Sequence, residues 1–310
     1  MTLRISKKDN LKYALGAGYE PIATVRPGEI FDVECEINCN DGVITSLDKR
    51  LKADDIHLPF VNPATGPIHI IGATPSQMLK LEIKDIIPEG LGYTALWPGI
   101  GIFPDWVRKK EFGIHTKVVE VKDGIVHWSD RLKLPVRPMI GVVGVAPVHG
   151  SVLTIDNGQH GGNLDVQEVT VGNRIMFPIW HEGAHLFMGD CHAIQGDGEV
   201  QSVGGIEIAT TVRVGVSLAA KPMRMGWPRI ETPTHICTVA CARPLDDALR
   251  LAFEEMIYWM EDEFGFATTE AYMLLGQVAE ARCTQMVNPK YTYICKLDKR
   301  YLLPERARDL

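Results

Sequence analysis

The first two thirds of the chain are dominated by alternation of apolar and polar residues. Apolar side chains alternate with acidic ones over residues 31–37 and with charged ones over residues 79–84, and a longer alternating run covers residues 206–216. A side-chain period of two is typical of a strand with one buried face. Asp123-Gly124 separates two short alternating runs within residues 117–128, which predicts a hairpin.

The period changes in the last third. Apolar residues recur at helical spacing over residues 244–264, with Pro244 in the first turn and Gly265 as C-cap. A second helix is predicted over residues 269–285 and a final strand over 291–297.

Together these elements predict an α+β fold. We expect a predominantly antiparallel sheet of sandwich- or barrel-like form, with the helices concentrated in the C-terminal third. A single domain over residues 1–310 is the first expectation. A division into a β-rich part, 1–220, and a helix-containing part, 221–310, is the alternative.

Composition narrows the functional classes. The 310 residues are 45% hydrophobic and 23% charged, with a formal net charge of −7, so neither nucleic acid nor a membrane is an expected partner. The polar N-terminus lacks the apolar core of a signal peptide. Seven cysteines without a C-x-x-C motif indicate reduced thiols and a cytoplasmic location.

The densest polar block covers residues 189–199. Asp190 and His192 are two residues apart, so an extended segment directs both to one face, where a carboxylate and an imidazole suit zinc. Glu199 then falls where a base could reach a metal-bound water. The alternative is a Gly-Asp loop with solvated carboxylates and one satisfied histidine. Cys191 points the other way, which favours a buried thiol over a nucleophile.

Two further motifs have competing interpretations. In the segment His160–Asp165, the amide of Asn163 could orient a small polar ligand and the carboxylate of Asp165 could bind a metal ion. The alternative is an ordinary turn. Residues 181–185 match the H-E-x-x-H pattern of metalloproteases. A strand before the motif and Gly183 within it disfavour the helix that a protease needs, so we expect a strand–turn–strand with two histidines at its rim.

The chain resembles the acetamidase/formamidase family over nearly its whole length. The motifs that carry the resemblance are NPATGPIHIIGATP at 62–75, GGNLD at 161–165, GDCHAIQGDGEV at 189–200, GIE at 205–207 and LLGQVAEARCTQMVNP at 274–289. The middle block is the most specific of them. Two positions depart from the family pattern: the HEGAH segment at 181–185 is unusually rich in histidine, and Leu164 stands where methionine is commoner.

The resemblance implies a cytoplasmic hydrolase of short linear amides, such as formamide or acetamide, that works as a homodimer or larger homo-oligomer. It implies a metal-assisted site in which Asp165, Asp190 and His192 hold a divalent ion, most simply zinc, with calcium as an alternative. Glu199 would then be the catalytic base, and Asn163 and Gln195 would bind the substrate. If Glu199 is a metal ligand instead, Glu182 or Asp197 is the alternative base. A metal-stabilised protein without turnover is the second hypothesis, and a metalloprotease the third.

Overall fold

The structure is a computed structural model that describes residues 2–39, 42–107 and 113–302. Its helices are α1 (Pro104–Val107), α2 (Leu245–Phe264) and α3 (Thr268–Val278). Its strands are β1 (Leu3–Ile5), β2 (Leu11–Lys12), β3 (Ala14–Gly16), β4 (Ala23–Val25), β5 (Ile30–Cys35), β6 (Ala64–Ile70), β7 (Gln77–Leu96), β8 (His115–Lys122), β9 (Ile125–His127), β10 (Lys133–Pro135), β11 (Met139–Gly144), β12 (Ser151–Leu153), β13 (Asn157–Gly158), β14 (Gly161–Asn163), β15 (Arg174–Pro178), β16 (Leu186–Gln195), β17 (Val203–Ala220), β18 (Arg229–Glu231), β19 (His235–Ala242), β20 (Glu280–Gln285) and β21 (Tyr291–Asp298).

Nineteen of these strands are joined by hydrogen-bonded pairs into one branched sheet, and β3 and β12 form a separate ribbon. Within the described ranges, β1–β5 and β4–β6 are the parallel pairs and the others are antiparallel. The described strands do not close into a barrel. The expectation of a mainly antiparallel α+β fold with its longer helices near the C-terminus is therefore confirmed, but its barrel-like form is not.

The alternating runs form the strands that the sequence predicts. They correspond to β5, β7 and β17, and β17 pairs with β7 from Val203 opposite Ala95 to Ala220 opposite Gln77. The predicted hairpin joins β8 to β9, where Asp123 and Gly124 have φ angles of 51° and 76°. Both angles lie in the left-handed region that a two-residue hairpin turn requires.

Helix α2 also agrees with its prediction. Pro244 is the N-cap, and the amide of Gly265, which has a φ of 72°, donates to the carbonyls of Glu261 and Met260. The buried face of the helix includes Ala252 and Met256, which belong to a core shared with β19 and β21.

The second predicted helix is wrong over its last turns. Helix α3 ends at Val278, and Glu280–Gln285 forms β20 instead. The reason is tertiary: β20 pairs antiparallel with β21, from Glu280 opposite Lys296 to Gln285 opposite Thr292. These backbone hydrogen bonds outweigh a weak local preference for helix.

A large core lies between the strands that carry the polar block. Val33 on β5, Leu81 on β7, Met188 on β16 and Val212 on β17 are all buried in it. The possible boundary near residue 220 falls at the end of β17, and β15 pairs with β18 across it. A division there stays a prediction. Over the described ranges, no helix is long and apolar enough to cross a membrane.

Candidate active site

Three residues predicted to bind metal come together beside β16. Asp190 and His192 lie on this strand, and Asp165 follows β14. The Nε2 atom of His192 is 3.8 Å from Oδ1 of Asp190, and one ligand atom from each of the three residues lies within 4.8 Å of the others. All three side chains are buried. The spacing that suggested a shared face therefore corresponds to a real cluster.

Glu199 reaches the same cluster, and so does an acid that the sequence analysis missed. Suitable ligand atoms of His192, Glu199 and Glu207 lie within 4.8 Å of one another. Glu207 is on β17 directly opposite His192 on β16. Its place in an alternating run pointed to an ordinary strand residue. The available signal was its position in the GIE segment, one of the motifs that resemble the family.

The backbone at the site departs from the extended form assumed for residues 190–192. Asp165, Asp190 and Glu199 have φ angles of 49°, 50° and 39°, in the left-handed region that non-glycine residues seldom occupy. Asp190 adopts it in the middle of β16. Such conformations persist only where the surrounding structure enforces them, and they concentrate at functional sites.

Two glycines make room for these side chains. A Cβ on Gly141 of β11 would lie 2.5 Å from Oδ1 of Asp165 and 2.6 Å from the carbonyl oxygen of Asp190. A Cβ on Gly205 of β17 would lie 2.5 Å from Cγ of His192. The carboxylate and the imidazole therefore occupy space that any larger residue would fill.

Gln195 sets the tautomer of His192. Its Oε1 lies 2.8 Å from Nδ1 of His192, while its Nε2 donates to the backbone carbonyls of Asp165 and Thr284. Because both donors of the amide are used in this way, Oε1 must accept, so Nδ1 carries the proton. Nε2 of His192 is then the ring atom that faces the acids, where it can carry a second proton or ligate a metal ion. Gln195 lies behind the histidine and does not line the cavity that Asn163 lines.

Three asparagines hold the aspartates. Asn62 donates to Oδ2 of Asp190 over 2.9 Å, and Asn288 donates to Oδ2 of Asp165 over 2.8 Å. In the amide orientation that satisfies its neighbours, Asn163 donates to Oδ2 of both aspartates, at 2.9 Å for Asp190 and 3.3 Å for Asp165. Asn62 and Asn288 were not singled out from the sequence, although both lie in the motifs that carry the resemblance.

The cluster crowds acidic groups together in a buried place, which disfavours their charged forms. Burial and the nearby Asp190 raise the pKa of Asp165 to about 6, and burial raises the pKa of Glu207 to about 8. Burial and the nearby Asp165 raise the pKa of Glu199 well above its usual range. Burial alone would lower the pKa of His192, but Glu207 and Asp190 outweigh it and raise that pKa. The acids therefore stabilise positive charge at this point.

The residues present fit a divalent ion. Asp190 Oδ1, His192 Nε2, Glu199 Oε2 and Glu207 Oε2 are buried and have no hydrogen-bond partner. Nε2 of His192 approaches Oε1 of Glu207 to 3.1 Å, but the two atoms are not aligned as a hydrogen bond. Buried polar atoms are rarely left unpaired, and buried charges are paired or coordinate metals. Carboxylate oxygens with one imidazole nitrogen form a donor set typical of zinc and related metals.

A small cavity of about 80 Å³ opens above the cluster. Asn62, Asn163, Asp190, Glu199 and Glu207 form polar parts of its lining, and none of the described lining residues is lysine or arginine. The other lining residues include the apolar side chains Leu58, Val61, Trp97, Ile100, Ile155, Val287 and Pro289. Pockets for drug-sized ligands are several times larger, so the cavity suits a molecule of a few heavy atoms rather than a peptide.

The alternative bases and the thiol lie away from this cavity. Asp197 is 62% exposed and pairs with Arg282 at 2.7 Å, and Glu182 is exposed. Cys191 packs in the core on the opposite side of β16, where burial raises its thiol pKa well above the usual value. The H-E-x-x-H segment forms a turn between β15 and β16, as expected, and His181 contacts the carbonyl oxygen of Pro147.

Comparison with known proteins matches the chain to one protein family. A model of the acetamidase/formamidase family matches residues 17–151 and 148–296. The chain is 28% identical over 255 residues to an acetamidase of Mycolicibacterium smegmatis, covering 63% of each chain. It is 28% identical over 250 residues to a formamidase of Methylophilus methylotrophus, covering 64% of this chain and 61% of the relative. The chain thus spans a little over three fifths of both relatives.

A solved structure agrees over almost the whole chain. A predicted acetamidase/formamidase from Thermoanaerobacter tengcongensis superimposes with a TM-score of 0.90 at 33% identity, covering 97% of both chains. The branched sheet and the strands that carry the acid cluster therefore belong to an architecture that is shared with a solved protein.

Proposed function

Because the chain belongs to the acetamidase/formamidase family, we propose that it hydrolyses small linear amides to a carboxylate and ammonia with the help of a divalent metal ion. The observation that carries the proposal is the convergence of Asp165, Asp190, His192, Glu199 and Glu207 below a cavity of about 80 Å³. The match to an acetamidase and a formamidase supports the substrate class.

Asp165, Asp190 and His192 would hold the ion. The imidazole of His192 favours zinc over calcium, because calcium prefers ligands that are all oxygen atoms. When bound, such an ion polarises the amide carbonyl and lowers the pKa of water. Gln195 keeps the Nε2 lone pair of His192 available, and Asn163 orients both aspartates. Asn163 also lines the cavity, so it stays our candidate for a substrate contact.

Glu199 is the proposed base. Its Oε2 is buried without a partner, and the residue lines the cavity. Glu199 takes a proton from a water molecule as the water oxygen bonds to the carbonyl carbon of the amide. The carbon–nitrogen bond then breaks, Glu199 passes the proton to the nitrogen, and ammonia leaves. Glu207 shares the cluster with Glu199 and is a candidate fourth metal ligand.

Ammonia release tests this function directly. We expect the metal-loaded protein to release ammonia from formamide or acetamide, to stop after dialysis against a chelator, and to recover with Zn²⁺. Casein, as a peptide control, should remain intact. A metal-loaded protein that releases no ammonia would point to a binding or structural role, and casein cleavage lost in His181→Ala would indicate a protease. Full amidase activity in metal-free protein would refute metal dependence.

We also propose a cytoplasmic location and a homo-oligomeric state. All seven cysteines are unpaired, as expected in a reducing compartment. Tyr272 and Met273 on α3 are 68% and 67% exposed, which is high for large apolar residues and is compatible with a subunit contact. Light scattering that gives the mass of one chain at micromolar concentration would rule out the oligomer.

A further inference from the structure

A line of hydrogen bonds runs from the candidate metal centre along the cavity wall to a buried tyrosine. Asn62 donates from Nδ2 to Oδ2 of Asp190 over 2.9 Å, and Asn38 donates from Nδ2 to Oδ1 of Asn62 over 2.7 Å. The hydroxyl of Tyr93 donates to Oδ1 of Asn38 over 2.9 Å. We call Tyr93, Asn38 and Asn62 the buried relay. It links a residue of β7 to Asp190 on β16.

The direction of the relay is fixed at its inner end. Burial raises the pKa of Tyr93 well above its usual range, so its hydroxyl stays protonated. The thiol of Cys39 also donates to Oδ1 of Asn38, over 3.1 Å. Two donors on one oxygen leave the amide nitrogen of Asn38 free to donate to Asn62. The nitrogen of Asn62 must then face Asp190.

The backbone beside Asn38, at the inner end of the relay, is held in a conformation that non-glycine residues seldom adopt. Cys39 has a φ of 63°, in the left-handed region, and its backbone amide donates to the carbonyl of Val61 over 2.8 Å. That bond ties the segment after β5 to the residue before Asn62. Tyr93 is fully buried and lies outside the cavity lining, so it contacts neither a substrate nor an ion at the cluster.

We propose that Tyr93 is a positioning residue, which acts through Asn38 and Asn62 to hold Asp190 with Oδ2 hydrogen-bonded and Oδ1 free for a metal ion. Without the tyrosine hydroxyl, only the weak thiol donor of Cys39 would hold Asn38, whose amide could then turn, present an oxygen to Asn62 and remove the donor from Asp190. Partners that orient metal ligands are typically worth ten- to a hundredfold in metal affinity. The inference rests on the proposed metal-dependent function.

Tyr93→Phe removes only the hydroxyl oxygen and is the central variant. We expect its Zn²⁺ affinity, measured by competition with a chromophoric chelator, to fall about tenfold. Tyr293→Phe, on a half-buried tyrosine of β21 outside the relay, is the matched control and should keep the wild-type affinity. Thermal unfolding of the metal-free proteins shows whether each variant is folded.

A double-mutant cycle separates positioning from general loosening. In an Asn62→Ala background the relay is already broken, so adding Tyr93→Phe should change Zn²⁺ affinity less than twofold. An equal loss in both backgrounds, or unchanged affinity in folded Tyr93→Phe, would overturn the proposal. If Tyr93→Phe does not fold, Asn38→Ala replaces it, because Asn38 is the link between Tyr93 and Asn62, and unchanged affinity there has the same meaning.

The outcome also distinguishes the relay from the function it rests on. A wild-type protein that binds no divalent ion would overturn both ideas. Wild-type protein that binds Zn²⁺ but releases no ammonia would refute the amidase proposal alone, because the affinities still test the relay. If the wild-type protein binds Zn²⁺ tightly and has amidase activity, and Tyr93→Phe has the same Zn²⁺ affinity, the relay alone would be refuted.

Discussion

Gly141→Ala should damage the site while leaving the fold intact. Gly141 lies on β11, which pairs with both β14 and β16. Its backbone does not occupy the left-handed region, so alanine is acceptable there on conformational grounds. The added methyl group would meet Oδ1 of Asp165 at 2.5 Å and the carbonyl oxygen of Asp190 at 2.6 Å. Gly141 is therefore a position where one carbon presses on two proposed metal ligands.

The size of the effect follows from these contacts. Ordinary contact begins at 3.4 Å, so the carboxylate of Asp165 must retreat by about 0.9 Å. Metal–ligand distances tolerate about 0.2 Å, and a misplacement of about 1 Å can cost a hundredfold in rate. We therefore expect kcat/KM to fall about a hundredfold and bound metal to decrease. Crowding should lower the free energy of unfolding by about 1–3 kcal/mol. About 0.4–1 kcal/mol of this loss is offset, because alanine leaves the unfolded chain less conformational freedom than glycine does.

The assay compares Gly141→Ala with Gly215→Ala. A Cβ on Gly215 of β17 would have its nearest neighbours at 3.7 Å, an ordinary contact, so this variant should keep wild-type metal content and rate. Ammonia release gives kcat/KM, elemental analysis gives metal content, and urea unfolding gives stability. If folded Gly141→Ala retains full metal and full activity, the clustered aspartates are not the catalytic centre.

Three further substitutions test separate roles. Glu199→Gln keeps the shape but removes the basic oxygen, so kcat should fall by about 10²–10⁴ with metal retained; loss of the metal would instead make Glu199 a ligand. Gln195→Leu leaves Nδ1 of His192 without its acceptor, and Zn²⁺ affinity measured by chelator competition should fall about ten- to a hundredfold; an unchanged affinity would contradict the tautomer assignment. Cys191→Ala should keep most of the ammonia-releasing rate, because the thiol lies in the core; a loss of several orders of magnitude with metal intact would indicate a thiol nucleophile.

Much of the local structure could be predicted from the sequence because burial repeats with the period of each element. The alternation over residues 206–216 identified β17, and the helical spacing over 244–264 identified α2 with its cap at Gly265. The pattern failed at β20, where pairing with β21 decides the conformation. Periodicity reports which face is buried and carries no information about which strand covers it.

The candidate site also combines features that the sequence predicts with features that only the structure shows. Asp190, His192 and Glu199 could be identified because they lie within one short block, where spacing and glycines already indicate convergence. Gln195 lies in that block too, and the structure places its amide oxygen against His192, a contact that spacing could not predict. Substrate binding by Gln195 stays a prediction. Its role depends on where the amide points, which the backbone on both sides determines.

The sequence by itself determined the fold class, the main strands, the first long helix and a compact set of acids around one histidine, because these depend on local periodicity and on residues close together in the chain. Only the tertiary structure brought Glu207 opposite His192 and connected Tyr93 through two asparagines to Asp190. Those residues lie on different strands, and strand pairing across long separations sets their distances. Buried charged groups need partners within a few ångströms, and the sequence alone does not give the distances between residues on different strands.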